Sequence, residues 1–125
     1  MGHNELRDRT KKFALRIVNM FAKLPRSVCA QVLGKQALRS GTSVAANYRE
    51  ASRARSDLEM LSMLGIVEQE LDETLLWLEL LVESGIVPQA RMASLYQECD
   101  ELLRITVAGI KTLKSRSRRG DKRMR

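Results

Sequence analysis

An all-α fold, an antiparallel up-down-up-down four-helix bundle, is what this 125-residue chain predicts. Three observations carry it. Apolar residues recur with helical periodicity along four long segments, and no stretch alternates with the period of two that a strand needs. Only two prolines occur, Pro25 and Pro88, and both fall between those segments. Charge is segregated: residues 1–56 carry 12 basic and 3 acidic side chains, residues 57–110 carry 2 and 11, and residues 111–125 carry 8 and 1. The first two blocks cancel, so the net charge of +7 equals the surplus of the last fifteen residues. A positive helical hairpin pressed against a negative one, with a cationic end left for a polyanion, follows from that pattern.

The first helix is expected over about residues 5–24. Leu6, Thr10, Phe13, Ile17, Met20 and Leu24 form its packed stripe. Leu24-Pro25 ends it, because a residue before proline avoids the helical region. The second is expected over 27–54, with Val28, Val32, Leu33, Ala37 and Leu38 on it. Its middle, Ser40-Gly41-Thr42-Ser43-Val44-Ala45-Ala46, is built from small side chains. Gly34 and Gly41 each weaken a helix by about 1 kcal/mol relative to alanine. The close approach of another backbone is the expected compensation.

The third helix is expected over 57–84. Ser56-Asp57-Leu58-Glu59 is a capping box that opens it, and Leu61, Leu64, Val67, Leu71, Leu75, Leu78 and Val82 run along it. Gly85 is its stop. Pro88 then opens a fourth helix over 88–115, with Met92, Leu95, Cys99, Leu102, Val107, Ile110 and Leu113 on its inner side. Roughly 28 residues at 1.5 Å each make a rod of about 40 Å. Short connections favour the up-down arrangement. Residues 116–125 are expected as a disordered basic tail.

Composition narrows the function. One domain suits the length, apolar residues at 44% allow a proper core, and aromatics at 4% are few. No segment approaches the roughly 20 apolar residues that span a bilayer. Met1-Gly2-His3-Asn4-Glu5 lacks a hydrophobic signal region, and Leu6 stands where a myristoylation motif wants Ser or Thr. Cys29 and Cys99 form no metal or redox spacing. A cytoplasmic protein with no membrane partner is the expectation.

Catalytic chemistry finds little support. The single histidine, His3, falls in a terminus expected to fray, so no Glu-x-x-His metal pairs can form. Neither cysteine has a histidine to activate it, and no glycine-rich phosphate loop occurs. No cofactor and no metal are expected. The carboxylates Glu68, Glu70, Asp72, Glu73 and Glu79 have a simpler role: a hairpin turning near residue 55 brings Arg39 close to Asp72 and Glu73. Asn47, Tyr48 and Glu50 follow the small-residue run. Buried polar atoms need partners, so this cluster is expected to hydrogen-bond across a helix or subunit contact. Trp77, beside Leu75, Leu76 and Leu78, lies on a helix apolar on more than one face, which points to self-association.

The stretch Arg39-Ser40-Gly41-Thr42-Ser43-Val44-Ala45-Ala46-Asn47-Tyr48-Arg49-Glu50-Ala51 resembles the signature of the four-helix bundle proteins encoded in intervening sequences of bacterial 23S ribosomal RNA genes. That family carries a small-residue run leading to an Asn and, three residues on, a Glu. Leu24-Pro25 is similar to its hydrophobic-Pro junction, and Glu70-Leu71-Asp72-Glu73-Thr74-Leu75-Leu76-Trp77-Leu78-Glu79 resembles its third helix. Ala51 departs from the Gly found in many relatives. The resemblance spans about residues 6–113. It implies a ring-shaped homopentamer with no known catalytic residues. A related branch, the accessory proteins of diversity-generating retroelements, comprises basic pentamers that bind nucleic acid and a reverse transcriptase.

The functional expectation is therefore a non-enzymatic oligomer that binds RNA or DNA by charge. Lys111, Lys114, Arg116, Arg118, Arg119, Lys122, Arg123 and Arg125 would release counterions from a phosphate backbone, and Arg49, Arg53 and Arg55 extend the patch. Scarce aromatics argue against base-specific single-strand binding. The alternative is a protein-interaction scaffold or accessory subunit, for example of a reverse transcriptase.

Overall fold

A computed structural model of the chain describes residues 2–124, with side chains described through Arg119. The described residues form four helices and no strands: α1 (His3–Ala22), α2 (Val28–Ala51), α3 (Asp57–Glu83) and α4 (Gln89–Met124). α2 packs on both α1 and α3, α3 also packs on α4, and α1 meets α4 along a lighter seam.

Local chemistry sets the ends. α1 ends just before Leu24-Pro25. Ser27 caps α2 by accepting from the amide of Ala30 at 3.3 Å. Ser56 caps α3 by accepting from the amide of Glu59 at 3.1 Å, the serine half of the expected capping box. At the end of α3, Gly85 takes a φ of +80°. The Ile86 amide then donates to the Leu81 carbonyl at 3.1 Å and the Gly85 amide to Val82 at 2.9 Å, a Schellman closure.

Residue contacts run in opposite order along neighbouring helices. His3 meets Tyr48 while Ile17 lies beside Gly41 on the α1–α2 seam. Arg116 meets Asp57 while Tyr96 meets Glu79 on the α3–α4 seam. Arg9 reaches Glu98 while Arg16 reaches Ser94 between α1 and α4. All four helices contribute to one buried core, including Phe13, Ile17, Val44, Leu71, Leu78 and Leu102.

The small-residue run of α2 is packed by side chains rather than by another backbone. A Cβ added at Gly41 would stand 2.8 Å from Ile17 Cγ1, and one at Gly34 would meet Leu24 Cδ1 first and then Phe21 Cδ2 at 2.9 Å. Branched and aromatic side chains of α1 fill the space that a methyl would take, which corrects the expected backbone approach.

α4 does not end near residue 115. It runs 36 residues, about 54 Å at 1.5 Å per residue, so residues 116–124 of the stretch expected as a disordered tail continue the helix. Lys and Arg are good helix formers, no proline interrupts 111–124, and cations near a helix C-terminus complement its dipole. Because Arg116 meets Asp57, the first residue of α3, the turns of α4 beyond it run past the start of that helix.

Candidate nucleic-acid interface

The opposed seams gather the start of α1, the end of α2, the start of α3 and the later turns of α4 at one end of the fold. Two cationic surfaces form there. The first is a groove between α1 and α2 flanked by Arg7, Lys11, Arg49 and Arg53, with Ala45 and Ala46 in its wall and Glu50 as its one carboxylate. Arg7 and Lys11 are four residues apart, as are Arg49 and Arg53. Arg7 and Lys11 lie within α1, and like charges at that spacing oppose the helix by about 0.2–0.5 kcal/mol, a repulsion that a bound anion would relieve.

The second surface lies on α4. Lys111, Lys114 and Arg118, spaced by three and four, share one exposed face. Arg119 is exposed beside them. Arg116 pairs with Asp57 at 3.2 Å, which fixes the cationic stretch of α4 next to the α2–α3 turn, where Arg55 is exposed. Arg49 and Arg53 thus join Arg7 and Lys11, and the α4 cations join one another, on different surfaces of the same end. The side chains of Lys122 and Arg123, and all of Arg125, lie outside the described residues. Arg7 and Lys11 escaped the reading of the sequence, although their spacing of four mirrors that of Arg49 and Arg53 across the hairpin.

The residues expected as a polar network divide three ways. Arg39 donates to Glu73 at 2.8 Å and to Glu70 at 3.2 Å. Asp72 is exposed and is not its partner. Residues three apart share a helix face, and Asp72 is turned about 200° from Glu70 at 100° per residue. Asn47 stays within its own helix, its amide donating to the Ser43 carbonyl at 2.8 Å, so it does not bridge helices. Tyr48 does bridge: its hydroxyl lies 3.3 Å from His3 Nδ1, which places His3 in the first turn of α1 rather than in a frayed end. Burial pushes the Tyr48 hydroxyl above its ordinary pKa.

Two connections were invisible in the sequence. The Thr74 hydroxyl donates to Ser40 Oγ at 2.7 Å in the buried α2–α3 seam. Arg9 fastens α1 to α4, donating to both carboxylate oxygens of Glu98 at 2.9 and 2.8 Å and pairing with Glu101 at 3.0 Å. Bonding first to Glu98 and then to Glu101 holds its guanidinium pKa above even the ordinary arginine value.

Cys99 is not set up as a nucleophile. Cys99 is buried and donates weakly to the Leu71 carbonyl at 3.5 Å, and burial, reinforced by Asp100, Asp72 and Glu98, pushes its thiol up. Activation needs the opposite shift. Cys29 is exposed and free. Among the described residues no three His, Cys, Asp or Glu side chains come together as metal ligands, and no helix is long and apolar enough to cross a membrane.

The family model described as 23S rRNA-intervening sequence protein matches residues 3–108. The chain belongs to that family. A crystal structure of a family relative agrees: a protein of unknown function from the S23 ribosomal protein family of Bacteroides thetaiotaomicron is 36% identical, with a TM-score of 0.82, over 89% of this chain and 99% of the relative. No curated protein matches significantly. The α4 cations from Lys111 onward lie beyond the residues that the intervening-sequence family model matches, whereas Arg7, Lys11, Arg49 and Arg53 lie within them.

Proposed function

We propose that this member of the intervening-sequence protein family is a non-enzymatic cytoplasmic oligomer, an antiparallel bundle assembled as a homopentameric ring, that binds RNA or DNA at its cationic end. The opposed order of contacts along neighbouring helices supports the antiparallel arrangement. The observation that carries the binding reading is the pooling of cations: the α1–α2 groove with four, and the α4 face with Lys111, Lys114 and Arg118, occupy one end of one protomer. Repetition around a ring multiplies the phosphates contacted, and each contact releases a counterion. Six contacts would give a slope of about −5 in log affinity against log salt.

Exposed apolar side chains support self-association. Val28, Val32 and Leu76 are 80%, 56% and 48% exposed, more than a lone bundle needs to leave in water. Light scattering should return about five times the 14.2 kDa of one chain. The same surface also suits the scaffold reading, in which it contacts a partner such as a reverse transcriptase, and a monomer that retains no RNA would favour that reading.

Retention on immobilised RNA at low and high salt, for the full chain and for a chain ending at Leu113, tests the binding directly. The full chain should be held at low salt and released at high salt, and the shortened chain held more weakly. Equal, salt-insensitive behaviour of the two would remove the proposal.

A further inference from the structure

A recess of about 340 Å³ opens at the far end of the fold from those cations, between the last turns of α1, Pro25, the α3–α4 connection and the first turns of α4. Its floor reaches the core: Leu24, Met92 and Leu95 line it and are all buried, and Met20 is half-buried beside them. Its rim carries Arg16, Lys23 and Arg91, and none of its lining residues carries a carboxylate. Arg16 donates to Ser94 Oγ at 2.8 Å. Among the described residues no ion pair satisfies Arg16, Lys23 or Arg91, whereas Arg9, Arg39, Arg104 and Arg116 each have a carboxylate within 3.2 Å.

We propose that this recess is a binding site for a nucleoside phosphate. A concave site walled by one sign of charge concentrates ions of the other sign, and three cations without a carboxylate partner call for a dianionic phosphate better than for a single carboxylate. The first turn of α4, the positive end of that helix, opens on the same space and adds to the attraction. Beneath the cations the walls suit a flat ring. Thioethers such as those of Met20 and Met92 make favourable contacts with aromatic rings, and the Asn19 amide, also on the lining, offers a donor and an acceptor to a base edge. The volume falls at the small end of the range for small-molecule sites, about 300–1,000 Å³. None of these residues belongs to the cationic end, so the site stands or falls apart from the RNA reading.

Methyl NMR on the full chain labelled at methionine reads the site directly, because Met20 and Met92 line it while Met60 and Met63 do not. Adenosine, guanosine, cytidine and uridine monophosphates are titrated singly. Parallel arms use inorganic phosphate, uncharged nucleosides, octanoate and a 5′-phosphorylated trinucleotide. At least one mononucleotide should shift Met20 and Met92 saturably and leave Met60 and Met63 in place. Arg91→Gln and Lys23→Gln, both at exposed positions, should each weaken binding about tenfold, with unmoved Met60 and Met63 signals certifying the fold. Tighter binding of the trinucleotide assigns the ligand to the end of a strand, and equal binding assigns it to free nucleotide. The proposal is overturned if no nucleotide shifts these methyls, if phosphate alone or octanoate reproduces the shifts, or if the two variants bind unchanged.

Discussion

Ser40 and Thr74 hold their hydroxyl oxygens 2.7 Å apart in the seam between α2 and α3, with both residues fully buried. Thr74 also shares its proton with the Glu70 carbonyl at 2.7 Å. Ser40 likewise reaches the carbonyl of Ala37 in its own helix at 3.4 Å, so the contact between the two hydroxyls is the one that crosses the seam. Ser40→Ala or Thr74→Val alone should cost about 0.5–1.5 kcal/mol, because the remaining hydroxyl loses its partner across the seam and keeps only a carbonyl of its own helix. The double variant should lose less than the sum. Urea unfolding followed by circular dichroism measures all three, and strict additivity would show that the pair is not coupled.

Two helical glycines should respond to alanine with opposite signs. Nothing lies within 4 Å of a Cβ added at Gly65, whereas one at Gly41 stands 2.8 Å from Ile17 Cγ1. Gly65→Ala should therefore stabilise by up to about 1 kcal/mol through helix propensity alone. Gly41→Ala meets a branched core side chain and should destabilise despite the same gain. Thermal midpoints that rise together would contradict this packing.

Arg9 and Glu98 keep only 22% and 19% of their side-chain surface exposed, and they tie the most lightly packed pair of helices. Glu98→Gln removes one of the carboxylates that face this partly buried guanidinium and should cost about 1–3 kcal/mol. Hydrogen exchange offers the sharper measurement: protection should fall first in the early turns of α1. Uniform loss across all helices would mean the contact does not hold that seam.

The two cysteines should differ in reactivity by orders of magnitude. Cys29 is exposed, while burial lifts the Cys99 thiol above its ordinary pKa and keeps it from reagents. Alkylation followed by mass spectrometry should modify Cys29 in the native protein and Cys99 only on unfolding. Rapid double labelling without denaturant would count against the buried position.

Alkaline pH should expose the Tyr48 contact. Its folded pKa lies above its unfolded value because burial disfavours the phenolate. That preference leaves stability intact below the unfolded value near 10 and removes it as pH rises through the folded one. Tyr48→Phe should flatten this alkaline loss while forfeiting the contact with His3. An unchanged pH profile would assign the alkaline loss to other groups.

Much of the architecture was readable in advance, and the places where it was not share a cause. Ser56 caps α3 and Gly85 closes it because capping needs only residues within one turn. Arg39 pairs across the α2–α3 hairpin with the expected Glu73, but its second partner is Glu70 rather than the expected Asp72, since pairing depends on which helix face turns inward. The end of α4 was misjudged for a related reason: a run of Lys and Arg without proline continues as helix, past Gly120, when contacts such as Leu113 in the core and Arg116 on Asp57 carry it onward. At the candidate interface Arg49 and Arg53 were legible, but their union with Arg7 and Lys11 was not.

The amino-acid sequence alone determined that there are four helices, where their junctions fall and which stripe of each is apolar, because period, proline and capping act over a few residues. The tertiary structure decided what those stripes and charges meet: Ile17 against Gly41, Ser40 on Thr74, Arg9 on Glu98, four cations around one groove, and three more above an apolar recess. Such pairings depend on the rotation of each helix about its axis and its shift along its neighbours. Only the packing of the whole core sets those two quantities.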